Sequence, residues 1–292
     1  MIFAAVCDSF LDARQGTVSP STLQTDYEKL TSLPLPLLSM SLEDVTTTDL
    51  WDALRLSPHS LNTKKRQRVT LKALTRWLAL TGQTPTNLGE NLPTPLTGAP
   101  PRPPRPIPWP DLPAIVEEVS PAYQDLVLFA AHTGLRMGEL AALTVADLKP
   151  SGQYPHVVVA KSQTKTFPLR MPKSGRSRVV PLDRIARKIA SDRLALPTSS
   201  LAFTGPRGGR LASPNFRRDS NWAAAAPGHT FHDLRHTAAV HWLEIPEISE
   251  LDIQRWLGHA SLDQTQRYLS GLAVSRRDQH LLAALDREAT HE

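Results

Sequence analysis

Cysteine is almost missing from this chain of 292 residues. Cys7 stands alone, so no disulfide can form within it. That fits a reducing compartment such as the cytoplasm, and a lone cysteine near the N-terminus reads as a small core residue rather than a nucleophile. Acid is the scarcer charge, with 28 Asp and Glu against 33 Lys and Arg and a formal net charge of +5. The sequence pI is about 9.5. That balance favours a polyanionic partner, nucleic acid before membrane. No apolar run is long enough to span a bilayer. The opening residues Met1 to Asp8 lack a basic region and meet an acid too early for a signal peptide. No GxxxxGK[ST] string occurs, which argues against a P-loop nucleotide site, and no internal repeat is visible.

Proline, by contrast, is abundant and concentrated. The stretch from Leu92 to Pro110 reads LPTPLTGAPPRPPRPIPWP, and about half of it is proline. Such a segment can neither continue a helix nor pair in a sheet, so it is expected to be an extended, semi-rigid connector. It divides the chain into residues 1–91, a connector over 92–110, and residues 111–292. Arg102 and Arg105 give the connector positive charge suited to lying along phosphates, beside its plain role as a spacer.

Ahead of the connector the pattern is helical. Phe10-Leu11, with Thr22-Leu23 and Tyr27 to Leu30, suggests two short helices. Leu61 to Leu80 is the strongest signal, because Leu71, Leu74, Trp77 and Leu78 share one face at helical spacing. Lys65, Arg68, Lys72 and Arg76 fall on the opposite face with no acid among them, which reads as a DNA-facing surface or as an ordinary solvated face. Gly82 is placed to end this helix. Beyond the connector, helices are expected at Pro121–His132 and about Arg136–Leu143, and strands at His156–Ala160, Thr166–Met171 and Arg178–Leu182. The intervening Pro172 to Arg176 has hairpin composition. Further helices are expected near 183–194, 213–225, 230–243, 248–257, 262–269 and 275–286, with Pro246 forcing the break before Ile248.

Several short stretches carry chemistry. Arg136 follows a helix-breaking glycine in Thr133-Gly134-Leu135-Arg136, with Glu139 three residues on, and an Arg136–Glu139 surface ion pair is the ordinary reading. In His232-Asp233-Leu234-Arg235-His236, spacings of three and four place His232, Arg235 and His236 on one helix face. Two arginines far apart in sequence could fork the oxygens of a single phosphate once the chain folds. The same stretch mimics the zinc-peptidase string HExxH with Asp for Glu, and His259 could be offered as a third ligand. Arg235 would put a fixed positive charge beside that metal, so no metal is expected. Lys173 sits in a basic turn with Arg176, and Tyr268 follows nine positions after His259. An ammonium, two guanidiniums, imidazoles and a phenol suit phosphoryl transfer to tyrosine.

The order of these pieces closely resembles the tyrosine recombinase (phage integrase) family. TGLRMGEL carries Arg136, KSGRSRVVPL carries Lys173, and HDLRHTAAVHWLE carries His232 and Arg235. WLGH then carries His259 and DQTQRYLS carries Tyr268. The resemblance runs from about Pro110 to Leu285, and residues before the connector match only loosely. It implies a mainly α fold. A helical, SAM-like core-binding domain would be joined to a mostly helical catalytic domain with a small three-stranded β-sheet. It implies that Tyr268 attacks a phosphodiester to leave a 3′-phosphotyrosyl link and a 5′-hydroxyl. Arg136 and Arg235 would stabilise the phosphoryl charge and Lys173 would be the general acid. His232 would act as base or proton shuttle, and His259 would hydrogen-bond the phosphate. No cofactor is implied.

The expected partners are a double-stranded DNA target and copies of the chain, free as a monomer and tetrameric in synapsis, with a second recombinase or accessory protein as a further candidate. No membrane partner is expected, and the expected location is the bacterial cytoplasm or nucleoid. With no room ahead of the core-binding domain for an arm-binding module, a simple Xer-like or Cre-like recombinase is expected. Two other functions share much of this pattern: a type IB topoisomerase-like relaxing enzyme and a non-catalytic DNA-binding relative.

Overall fold

Where apolar residues recur every three or four positions, the chain winds into helices. The computed structural model describes residues 1–95, 103–164, 167–170 and 177–258. It divides into two compact units, Met1–Pro103 and Pro104–Glu292.

The first unit is helical. Helices α1 (Phe3–Arg14), α2 (Pro20–Thr31), α3 (Leu35–Ser39), α4 (Thr47–Arg55) and α5 (Leu61–Leu80) surround a core of Phe3, Phe10, Leu50, Leu54, Leu71, Leu74 and Leu78. Each such side chain contributes roughly 1.5–3 kcal/mol when fully buried. Helix α5 has the bounds expected from its periodicity. Ser60 caps its start by accepting from the Thr63 amide, and Gly82 (φ +70°) closes its end. There the Gly82 amide donates to the Ala79 carbonyl and the Gln83 amide to Leu78, the paired bonds of a Schellman stop. Helices α3 and α4 were not foreseen. Thr46 and Asp49 close a reciprocal capping box at the start of α4.

The second unit is also mainly helical, around a small sheet. In chain order it has α6 (Leu112–Glu118), α7 (Pro121–Thr133) and α8 (Met137–Leu140). Strands β1 (Leu148–Lys149), β2 (His156–Val159), β3 (Ser162–Thr164), β4 (Phe167–Arg170) and β5 (Arg178–Pro181) follow. Helices α9 (Arg184–Arg193), α10 (Ser213–Asp219), α11 (Trp222–Ala225), α12 (Asp233–Leu243) and α13 (Glu250–Leu257) complete the described part. The three-stranded sheet has the order β1-β2-β5, antiparallel throughout. Expected strands β2 and β5 do pair, with Val157 opposite Val180. The third expected strand, β4, is not in this sheet; it pairs with β3, and β1 takes its place. Val157, Val159 and Val180 are buried, so β2 and β5 belong to the core. The single helix expected over 213–225 is broken by Asn221 in the left-handed conformation (φ +61°).

From Arg105 onward the proline-rich segment lies on this second unit. The Arg105 amide donates to Asp233 and the Ile107 amide to the Thr237 hydroxyl (2.8 Å), with Ile107 buried. Among the described residues no helix is long and apolar enough to cross a membrane.

Candidate active site

Helix α7 ends because Gly134 adopts the left-handed conformation (φ +62°), a turn that favours glycine. A Cβ there would come within 2.8 Å of Leu257 Cδ2, so a larger residue would also have to push that buried side chain aside. The turn leaves Leu135 buried and sets Arg136 at the N-cap of α8. The Arg136 amide donates to Glu139 Oε2 (2.8 Å) and its Nη1 donates to Oε1 (2.9 Å).

This is not the surface ion pair that the spacing suggests. The Glu139 side chain is 1% exposed, and it is shared. Arg178 on β5 donates Nη1 to Oε1 (2.9 Å) and Nη2 to Oε2 (2.7 Å), a fork on the same carboxylate. Burial alone would raise the Glu139 pKa; the hydrogen bonds and charge of Arg178, with the charge of Arg136, outweigh it and hold the carboxyl below its ordinary value. The carboxylate therefore stays charged and fixed beneath Arg136, whose own side chain remains a third exposed.

Arg235 sits one turn into α12 and is 1% exposed. Its Nη1 donates to the Gly134 carbonyl (2.8 Å) and its Nη2 to the Leu257 carbonyl (2.6 Å). Both acceptors lie at helix C-termini, of α7 and of α13, where the helix dipole is negative and favours a buried cation. Gly134 therefore joins the two arginines: Arg136 follows it by two residues, and Arg235 grips its carbonyl.

His232 stands at the N-cap position of α12 without a side-chain cap bond, is exposed, and its ring meets His236 edge to face with centroids 4.9 Å apart. The surrounding protein, then Arg235 and Arg136, push its imidazole below the ordinary value. His236, more deeply buried, is pushed down to about 4, by burial first and His232 second. The three residues expected on one face therefore separate by depth. His232 reaches solvent, while Arg235 and His236 lie inside. Asp233 fixes the entrance to this helix by accepting from the Thr230 amide (2.6 Å) and hydroxyl (2.9 Å).

Of the expected site residues, Arg136, His232 and Arg235 are thus brought together. Lys173, Arg176, His259, Tyr268 and Arg102 lie outside the described residues. On α5, Lys65 and Arg76 are exposed, whereas Arg68 Nε donates to the Leu92 carbonyl (2.8 Å) and Lys72 Nζ to Glu90 (2.9 Å). Two of the four cations of that stripe therefore hold the chain that follows the helix. Arg105 is exposed. Sequence reasoning missed Glu139 as a shared anchor and missed Arg178 altogether. A signal existed for Arg178: strand alternation places it on the same face as Val180, which is buried.

Comparison with known proteins places this site in context. The phage integrase family matches residues 111–273. The chain is 31% identical to the tyrosine recombinase XerC of Chromohalobacter salexigens, across 97% of this chain and 94% of that one. It is also 31% identical to XerC of Bifidobacterium longum, across 47% of this chain but only 39% of that relative's length. Among solved structures, the Tn1549 transposon integrase in complex with transposon right end DNA superposes with a TM-score of 0.72 at 16% identity, over 97% of this chain and 99% of that one. A lambda integrase tetramer bound to a Holliday junction superposes with a TM-score of 0.70 at 19% identity, over 92% and 77%.

Proposed function

The chain belongs to the phage integrase family, and from that premise we propose that it is a site-specific DNA recombinase that cuts and rejoins duplex DNA through tyrosine. The observation that carries the proposal is the pairing of Arg136 and buried Arg235 across Gly134, beside a neutral imidazole at His232. Two guanidiniums fixed before the substrate arrives can meet the charge that grows on non-bridging phosphoryl oxygens without reorganising.

In the proposed reaction the Tyr268 phenolic oxygen attacks phosphorus, and the bond from phosphorus to the 5′-oxygen breaks. Lys173 donates a proton to that leaving oxygen, while His232 accepts the phenolic proton. A phenol with an ordinary pKa of about 10 needs such help. His259 hydrogen-bonds the phosphate. The 3′-phosphotyrosyl bond conserves the energy of the broken linkage, so rejoining requires neither metal ion nor nucleotide.

The proposed partner is a double-stranded target, with Lys65, Arg76 and Arg105 on phosphates and Arg102 and Arg176 available in the same role. Four copies pair two sites, as the lambda integrase tetramer on a Holliday junction illustrates for that protein. The proposed setting is the bacterial cytoplasm, and XerC relatives come from bacteria. Whether a second recombinase joins the assembly is read by testing the purified chain alone on paired sites.

The test is covalent trapping. The full chain, incubated with a pool of nicked random duplexes, forms an SDS-resistant protein–DNA adduct, and Tyr268→Phe forms none while still binding the recovered duplex. An adduct with Tyr268→Phe, or none with the wild-type chain, overturns the proposal.

A further inference from the structure

Arg178 has no place in the reaction just described, yet its side chain bonds two other elements beside the site. Its guanidinium is nearly buried, 8% exposed. Nη1 and Nη2 fork the Glu139 carboxylate at 2.9 and 2.7 Å, and Nε donates to the Trp256 carbonyl at 2.6 Å. One planar group therefore ties three elements: β5, which carries it; α8, through Glu139; and the last turn of α13, through Trp256. Glu139 in turn holds Arg136 by both its amide and its Nη1.

The backbone beside it is shaped to fit. Gly258 ends α13 in the left-handed conformation (φ +66°), and a Cβ there would meet Arg178 Cδ at 3.0 Å and Nε and Nη1 at 3.2 Å. The guanidinium thus lies flat against the chain at the position just before His259. Lysine would supply the charge but not the fork, because an ammonium cannot hold two carboxylate oxygens and a carbonyl in one plane.

Burying an ion pair costs desolvation, and an apolar pair of similar volume often serves stability as well or better. Arg178 and Glu139 are therefore poorly explained by stability alone. We infer that Arg178 is a positioning residue for strand cleavage: through Glu139 and Trp256 it sets the distance and orientation between Arg136 and the end of α13, from which the chain continues to His259 and Tyr268. The inference rests on the recombinase reading above.

The test uses the full chain and the duplex recovered by covalent trapping. Arg178→Lys is compared with wild type for DNA affinity, thermal melting and the single-turnover rate of adduct formation at saturating protein. The expected result is a cooperative melt, affinity within about threefold of wild type, and cleavage slowed about 100-fold, the scale of a misplacement near 1 Å. A folded Arg178→Lys chain that cleaves at the wild-type rate overturns the inference. If that variant fails to fold, Arg178→Gln with Glu139→Gln removes both charges while keeping polar side chains. Slow cleavage at retained affinity supports the inference, and wild-type cleavage overturns it. A wild-type chain that forms no adduct fails in its own lane and sinks the recombinase reading instead.

Discussion

At the scale of single residues, the consequential property is the charge state of His232. Its imidazole is held below the ordinary value of 6.5 by the surrounding protein, by Arg235 and by Arg136, so it is neutral at pH 7 and able to accept a proton. In the proposed role of base it fails only when protonated. The acid limb of the cleavage rate is therefore expected below pH 6.5, and His232→Gln should remove that limb while lowering the plateau. A limb centred above pH 6.5 would contradict the assignment. His236 acts on stability in the same range. Its folded value is about 4, so only the unfolded chain takes up that proton between pH 6.5 and 4. Its contribution is complete above about pH 6.5 and is lost as pH falls towards 4. Cys7 is inert by the same physics, because burial, then Asp8, push its thiol up to about 12.

At the scale of elements, two glycines separate backbone strain from crowding. Gly82 and Gly134 both end helices at positive φ, but a Cβ at Gly82 would meet nothing within 4 Å, whereas one at Gly134 would press on Leu257. Gly82→Ala is expected to cost about 1 kcal/mol in denaturant titration and leave cleavage unchanged. Gly134→Ala should cost more and slow cleavage, since the Gly134 carbonyl holds Arg235. Equal costs would contradict this account. Helix α5 was legible because Leu71, Leu74, Trp77 and Leu78 keep helical spacing and a glycine closes it. Helix α4 was not, although Thr46 and Asp49 signal its start. Strands β1 and β3, of two and three residues, are too short to leave a pattern. The partner of β4 was misread because β3, which ends only three residues before it, is too short to register as a strand in the sequence. Among the candidate site residues, Arg136, His232 and Arg235 could be picked out from sequence because their motifs are local, and the fold brings them together. Glu139 was read as a surface residue because its burial depends on Arg178, 39 positions away. Tertiary packing, not spacing, turned a common ion pair into an anchor.

At the scale of the whole molecule, charge sets how the proposed DNA target would be held. A net charge of +5 is modest, so the grip should come from particular cations rather than from a general field. Lys65 and Arg76 are exposed on α5, while Arg68 and Lys72 bond backbone carbonyls. Removing Lys65 or Arg76 is therefore expected to lower the slope of log K against log salt by about 1 each. Arg68→Ala and Lys72→Ala should instead lower stability by loosening residues 90–92. Equal salt effects at all four positions would contradict that division. The proposed chemistry requires that a phenol on this chain exchange a DNA phosphodiester for a protein–DNA bond. Mass spectrometry of the SDS-resistant adduct after nuclease and protease digestion tests it most directly. The expected product is a nucleotide joined through its 3′-phosphate to the peptide bearing Tyr268; attachment at any other residue, or no attachment at all, would rule the proposed chemistry out.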